Sequence, residues 1–449
     1  MESVDRFFAV AVDYAWGLPL IILLIGGGAY LTLLSRFIPF FGLRHAVKIL
    51  RGTYDDPNDP GEISHFQALT TALSATVGVS NIGGVAIAIT QGGPGAVFWM
   101  WVAAIVGMAT KFFTCTVACM YRKQDEQGTP QGGPMYYIEV GLGRRYRFLS
   151  VFFSVCGLIG CLAMLQPNQF AVVLRVNYGV NPRVTRIPSA PIVTAVIVGG
   201  IQRIGRFTEK LVPTMCGVYV LACLYIIATH INLLPQVIFR IVHDAFSGTA
   251  LAGGVTGIAV SRVITTGVKR AAFSNEAGIG TAPLAHGAAK THEPVREGLV
   301  AMLGPFIDTI VVCSMTAFVI LTSDAWHNGN GGTEGVALTA RVFESAFGPL
   351  GQLIITFAVG SFAISTMVGY SYYGRKCCSY LVGQRRGQYY NYFFIATLVV
   401  GAVWSVETVI NIMDTAFALM ALPNMIATIL LAPRVMRATR AYFARAELD

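Results

Sequence analysis

Long apolar runs, separated by short polar and basic stretches, dominate this chain. A helix needs roughly 20 apolar residues to cross about 30 Å of hydrocarbon at 1.5 Å per residue. By that rule the first span is Trp16 to Ser35, which no charge interrupts. The residues before it read as a short retained tail, with Glu2 and Asp5 where a secretory signal carries basic residues. After the polar DDPNDPGE at 55–62, the pattern predicts spans near 66–91, 95–121, 148–174, 187–202 and 208–229. Further spans follow near 254–288, 297–322, 350–374, 389–406 and 409–433, eleven in all. The stretch 233–250 carries Arg240, His243 and Asp244 and predicts an interfacial helix instead.

Composition narrows the class. Only 12% of the 449 residues are charged and 54% are hydrophobic, with a mean hydropathy of +0.61. A soluble domain carries about 25% charge, so the chain reads as an all-α polytopic membrane protein whose partner is the lipid bilayer. The net charge of +9 does not point to nucleic acid, because the basic residues sit between apolar runs and not on one face or tail. With the C-terminus placed in the cytoplasm, the inner loops hold 22 of the 32 Lys and Arg, the outer segments six and the spans four. The positive-inside rule therefore predicts a cell-membrane protein with its N-terminus outside. The nine cysteines lie mostly in apolar segments without a CxxC pair and read as buried thiols.

Two spans are interrupted by glycine and polar residues. The first interruption is Ser74-Ala75-Thr76-Val77-Gly78-Val79-Ser80-Asn81-Ile82-Gly83-Gly84, and the second is Phe273-Ser274-Asn275-Glu276-Ala277-Gly278-Ile279-Gly280-Thr281-Ala282-Pro283. With the first span set aside, each opens a set of five, and an odd number per set makes the two sets run in opposite directions. Paired broken helices in inverted repeats mark the binding site of many secondary transporters. Unwound backbone is tolerable at membrane depth only where it lines a cavity or grips a ligand. Its carbonyls can hold Na⁺, and its N–H groups at a half-helix N-terminus can hold a carboxylate. Close helix packing alone would account for Gly83 and Gly84; it does not account for Asn81, Asn275 and Glu276, which are costly inside a membrane.

At these residues the chain resembles the alanine or glycine:cation symporter family, the sodium:alanine symporters. The resemblance is carried by TVGVSNIGGVA (76–86), GGPGAVFWMW (92–101), GTPQGGPMYYI (128–138), GVKRAAFSNEAGIGTAP (267–283), FAISTMVGYSYYG (362–374) and DTAFALMALPN (414–424), and it covers nearly the whole chain. It implies a leucine-transporter-like fold of five-plus-five inverted repeats with one extra N-terminal helix. It also implies Na⁺-coupled uptake of a small neutral amino acid, alanine or glycine. The expected layout is 1–65 for tail, extra helix and cytoplasmic loop, 66–230 for the first repeat and 231–253 for an extracellular interfacial helix. Residues 254–433 then form the second repeat and 434–449 a cytoplasmic tail. Against the family pattern, Ser80 stands for a glycine, Tyr370 for a tryptophan, Arg375 for a glutamate, and Cys161-Leu162-Ala163 for a Gly-Asn-Met stretch.

The resemblance and the breaks together nominate site residues. The N–H groups near Gly78, Val79 and Ser80 would hold the substrate carboxylate, with Thr76 and Asn81 beside them. Phe273, Ser274, Asn275, Glu276 and Gly278 would face them from the second break, with Tyr370 shaping the pocket. Gln166 and Asn168 would add polar contacts, or else stabilise a kink at Pro167. The Na⁺ site implied by the fold would use carbonyls near Ser74 and Val77, carbonyl oxygen near Ser361 or Phe362, and the hydroxyls of Ser365 and Thr366. Those hydroxyls could equally bond back to their own helix. Glu276, Asp308 and Asp414 are acids at or near membrane depth that could balance an ammonium, a second Na⁺ or a neighbouring Lys269 or Arg270, and Glu276 is the best functional candidate because it lies in the second break. Other classes remain in view. A channel would not accumulate its solute, and a proton-coupled or exchange-type carrier would share the fold. An enzyme has no support from HExxH, G-x-S-x-G or clustered histidines.

Overall fold

The computed structural model describes residues 2–126, 128–180, 189–247, 256–323, 326, 335–400 and 406–446. Arg183 and Arg186, and parts of the expected segments at 187–188, 248–255, 401–405 and 447–449, lie outside the described residues. The described chain is almost wholly helical, with a single two-stranded hairpin that pairs Lys123–Gln124 with Pro130–Gln131. Six helical segments are long and apolar enough to cross a membrane: Gly95–Met120, Arg144–Tyr178, Gly200–Thr229, Pro294–Thr322, Pro349–Val382 and Val409–Arg445. His65–Thr76 and Ser80–Gly92, bent by 54°, make a seventh if taken together. Four expected spans appear as Leu18–Leu34, Ser189–Ile197, Tyr390–Val400 and the interrupted Thr256–Asn275 with Ala282–His286. For these four the span assignment rests on the sequence pattern.

Both breaks are present. The first helix starts at a capping box, in which the Ser64 hydroxyl accepts from the Gln67 N–H and the Gln67 side chain accepts from the Ser64 N–H. It ends at Thr76, where Val77 turns to extended backbone, and the chain resumes as a π-helical turn, Ser80–Gly84. The second helix ends at Asn275, and Glu276, Gly278 and Gly280 all take positive φ before the short helix Ala282–His286. Glycine is the residue that tolerates this conformation; Glu276, at φ 54°, adopts it without being one.

Four features depart from the pattern-based reading. Residues 2–15 form a helix against the last helix and not a loose tail. Val12 and Trp16 are buried there, four positions apart, on the inward face. The span at 148–174 is unwound over 161–164, between helices Arg147–Gly160 and Leu165–Tyr178. The segment 434–446 continues the last helix, because Val435, Met436, Thr439 and Tyr442 repeat at helical spacing and are buried. A helix at Gly335–Phe347, not expected, packs on the π-helical turn of the first break, with Val336 against Gly83. The expected interfacial helix is present as Leu234–Ser247.

On one side of the molecule the chain entering the first broken helix is tied to the chain leaving the second. Ile63 bridges Ala289 in parallel, the Lys290 N–H donates to the Ile63 carbonyl at 2.7 Å, and the Glu62 N–H to Ala288 at 2.8 Å. Arg122 donates to the carbonyls of Ala289 (2.7 Å) and Pro60 (3.0 Å). Beneath this seam, the buried Glu297 carboxylate takes one histidine on each oxygen, His65 from the first broken helix and His286 from the second. All nine cysteines are free thiols.

Candidate functional site

The two breaks meet at Asp308, a fully buried residue in a π-helical stretch, Phe306–Cys313. From the first break, the Asn81 amide donates to Asp308 Oδ1 at 2.7 Å and to its backbone oxygen at 3.2 Å. The Asn81 carbonyl oxygen turns back and accepts the Gly78 N–H at 2.8 Å. From the second break, the Ser274 hydroxyl donates to Asp308 Oδ2 at 2.9 Å, beside that of Thr309 at 2.7 Å. Asn275 donates to Thr309 Oγ1 at 2.9 Å and accepts the Ala277 N–H at 2.9 Å. Each unwound stretch thus has part of its freed backbone satisfied by its own asparagine, as burial requires. Asp308 holds three neutral donors, and among the described residues no cationic side chain lies within ion-pair distance. Lys111, fully buried on the Gly95–Met120 helix, packs instead near Gly304.

Glu276 is held by two hydroxyls. Tyr370 donates to Oε1 at 2.7 Å, and Thr281 donates to Oε2. This fixes the second break to the Pro349–Val382 helix. Phe417 packs edge-on to Tyr370 (6.0 Å between centroids) and 5.7 Å from Phe273, so three rings from three helices form an apolar wall. Asp414 is occupied otherwise, in an ion pair with Lys269 at 3.2 Å.

The expected sodium ligands lie where the first broken helix touches Pro349–Val382. A Cβ on Gly78 would stand 2.5 Å from Thr366 Oγ1, and one on Gly369 would stand 2.9 Å from Ser74 Oγ. Side chains larger than hydrogen would force these helices apart. Ser74 donates to Thr71 O at 2.8 Å and Ser361 to Ala358 O at 3.0 Å. Ser365 and Thr366 both donate to Phe362 O, at 2.9 and 3.0 Å. With each hydroxyl proton committed to its own helix, the oxygen lone pairs remain as acceptors. The Phe362 carbonyl is the exception: it already takes both hydroxyl protons, and its ring packs on Tyr219 at 5.6 Å.

Other nominated residues sit differently. Gly278 does not face the first break. It packs against Leu24 and Met425, and its carbonyl accepts from Asn424 at 2.6 Å. Thr76 bonds back to Ala72 O at 3.2 Å. Val79 is buried and Ser80 partly buried at the start of the π-helical turn. Gln166, in the first turn after the unwound 161–164, has a buried side-chain oxygen without a hydrogen-bond partner among the described residues, and Asn168 is partly buried beside it. Three residues that order the second break escaped the sequence reading as site components: Thr281, Asn424 and Tyr137, the last donating to the Asn424 side chain. Each lies inside a quoted motif, Thr281 in the second break, Tyr137 in GTPQGGPMYYI and Asn424 at the end of DTAFALMALPN, but no spacing there marks it as a partner of the break.

Comparison with known proteins places this geometry. The profile of the "Sodium:alanine symporter family" matches residues 1–449. The "Sodium/alanine symporter AgcS" of Methanococcus maripaludis is 43% identical over 437 residues, 96% of this chain and 95% of that one. The "Probable sodium/glutamine symporter GlnT" of Bacillus subtilis is 34% identical, covering 98% and 91%. Among solved structures, a Na⁺-coupled sialic acid symporter in a substrate-bound outward-open state superposes with a TM-score of 0.54 at 12% identity, over 93% of this chain and 98% of that one. At that identity the likeness is one of fold.

Proposed function

Because the chain belongs to the sodium:alanine symporter family, we propose that it carries a small neutral amino acid, alanine or glycine, inward together with Na⁺. The family makes it a Na⁺-coupled amino-acid symporter with a multi-pass membrane location, and not an enzyme. With a probable sodium/glutamine symporter among the relatives, the side-chain preference is decided by competition between amino acids.

The observation that carries the reading is Asp308. A carboxylate fully inside a membrane protein, held by neutral donors from both broken helices, leaves a negative charge for a cation to balance. An amino-acid ammonium supplies that charge. The N–H groups around Gly78, Val79 and Ser80 would take its carboxylate, and the Phe273–Tyr370–Phe417 wall would limit its side chain. Na⁺ would sit at Ser74, Val77, Ser361, Ser365 and Thr366, beside Gly78. In this arrangement Na⁺ and substrate each favour the packing of the first broken helix against Pro349–Val382, which is the basis of coupling. One charge moved through 100 mV contributes about 2.3 kcal/mol, roughly fifty-fold accumulation before any Na⁺ gradient. The Lys and Arg distribution supports an external N-terminus and a cytoplasmic C-terminus.

The test is uptake of radiolabelled alanine into proteoliposomes with and without an inward Na⁺ gradient, with unlabelled glycine, serine and glutamine as competitors. Na⁺-dependent accumulation competed by glycine is expected. Accumulation driven equally by a proton gradient in Na⁺-free buffer would overturn the coupling, and glutamine as the strongest competitor would overturn the substrate class.

A further inference from the structure

A cavity of about 450 Å³ lies at the end of the Pro349–Val382 helix, on the side that the basic residues assign to the cytoplasm. Four elements bound it: the chain entering the first broken helix at Glu62, the 384–388 segment, the 123–131 hairpin at Asp125 and Gln131, and Tyr372, Lys376 and Ser379 on the long helix. The last three are spaced i, i+4, i+7 and share a stripe. Lys376 is only 4% exposed, and among the described residues its ammonium has one hydrogen-bond acceptor, the Gln131 side-chain oxygen. An ammonium carries three donors, so two are unmatched. The Tyr372 hydroxyl, on the same wall, is buried and among the described residues has no hydrogen-bond partner. Arg375 and Lys376 both stand against the Tyr372 ring, at 5.7 and 5.6 Å. Buried donors left open in this way call for an acceptor. Across the cavity stands Glu62, whose carboxyl burial pushes up while Lys376 and Arg375 pull it down.

We infer that this cavity is a second amino-acid site on the release path, holding the substrate carboxylate between Lys376 and Tyr372 and its ammonium at Glu62. The inference rests on the amino-acid symport proposed above. The distance is suitable. Tyr370 of the central wall and Lys376 are six residues apart, about 9 Å along a helix. A substrate leaving the breaks therefore meets Lys376 within two turns. The cavity is far larger than alanine, so the hold is loose and suits release. Inorganic phosphate or a lipid phosphate would satisfy Lys376 and Tyr372, but would offer Glu62 nothing.

Right-side-out and inside-out membrane vesicles carrying the full chain separate the two faces. Alanine KM is measured from each side for wild type, Lys376→Gln, Glu62→Gln and Tyr372→Phe. The KM from the inside-out face is expected to rise at least about fivefold in the first two variants and about threefold in Tyr372→Phe, with the other face within about twofold. Inorganic phosphate added on the cytoplasmic face is expected not to compete. Tyr372→Phe removes one oxygen atom and decides the matter should Lys376→Gln fail to fold. An unchanged KM on the inside-out face in Tyr372→Phe overturns the inference, as does a change confined to the right-side-out face or full competition by phosphate. A wild type that moves no amino acid in either vesicle overturns the proposed function instead.

Discussion

Asn81 and Asp308 are 227 positions apart, yet the Asn81 amide reaches both the carboxylate and the backbone oxygen of Asp308. The same asparagine accepts the Gly78 N–H, so one side chain shapes the first break and fastens it to the residue that receives Ser274 from the second. Replacing Asn81 by Ala therefore removes the link and frees Gly78 at once. Hydrogen bonds to a charged group contribute about 1.5–3 kcal/mol each, so Asn81→Ala is expected to lower alanine uptake by at least about tenfold, with the protein still in the membrane fraction. Uptake at the wild-type rate, normalised to protein in the vesicles, counts against the assignment.

Tyr370→Phe tests the Glu276 contact. It keeps the ring against Phe417 and deletes the hydroxyl that Glu276 accepts at 2.7 Å. Thr281 still holds the other carboxylate oxygen. A rise of about tenfold in alanine KM with a smaller change in kcat is expected, from the loss of one charge-assisted hydrogen bond. Steady-state uptake over a range of alanine concentrations measures both.

Thr366→Ala and Gly78→Ala address the sodium site from its two sides. The first deletes an oxygen and is expected to raise the half-saturating Na⁺ concentration about tenfold, read from alanine uptake at stepped NaCl. The second places a methyl 2.5 Å from Thr366 Oγ1 and is expected to abolish Na⁺ stimulation, because the helices can no longer close on each other. An unchanged Na⁺ dependence in Thr366→Ala would remove this residue from the site.

Gly280 tests the second break as architecture. Its φ is +101°, and a Cβ there would stand 2.8 Å from the Phe153 ring and 2.9 Å from the Asn424 side chain. Backbone strain of this kind costs about 1–3 kcal/mol. Gly280→Ala is expected to lower the melting temperature of the purified protein by several degrees, as read from thermal unfolding in detergent.

Glu297→Gln tests the seam between the broken helices. An amide has one acceptor oxygen for the two histidines that Glu297 now receives. Cys119, 8% exposed, lies against the His286 carbonyl at 3.5 Å. Faster labelling of Cys119 by a thiol reagent is expected in the variant, and wild-type labelling would show that the seam holds without the carboxylate.

The breaks were legible in the sequence because Asn81, Asn275 and Glu276 are costly inside a membrane and close packing does not account for them. The residues that complete them were not. Asp308 shows in the sequence as a lone acid in an apolar run, but its role depends on a π-helical stretch that turns it toward both breaks, and no periodicity announces that stretch. Gly278 had the right composition for a ligand contact, and packing against Leu24 and Met425 claims it instead. The unwound 161–164 is hidden for the opposite reason: Cys161-Leu162-Ala163-Met164 is as apolar as the helices on either side. The helix at 2–15 is concealed by its acids, which suggest a solvated tail when seen without their neighbours.

The final helix, Val406–Ala446, has 41 residues, about 61 Å at 1.5 Å each, twice the thickness of a bilayer's hydrocarbon. Its projecting end is anchored, since Tyr442 meets His45 at 2.6 Å and Arg445 pairs with Glu293 at 2.9 Å. A fluorophore on that stalk would be carried rigidly by the membrane-embedded machinery, giving a gauge of the transport cycle readable from the aqueous phase.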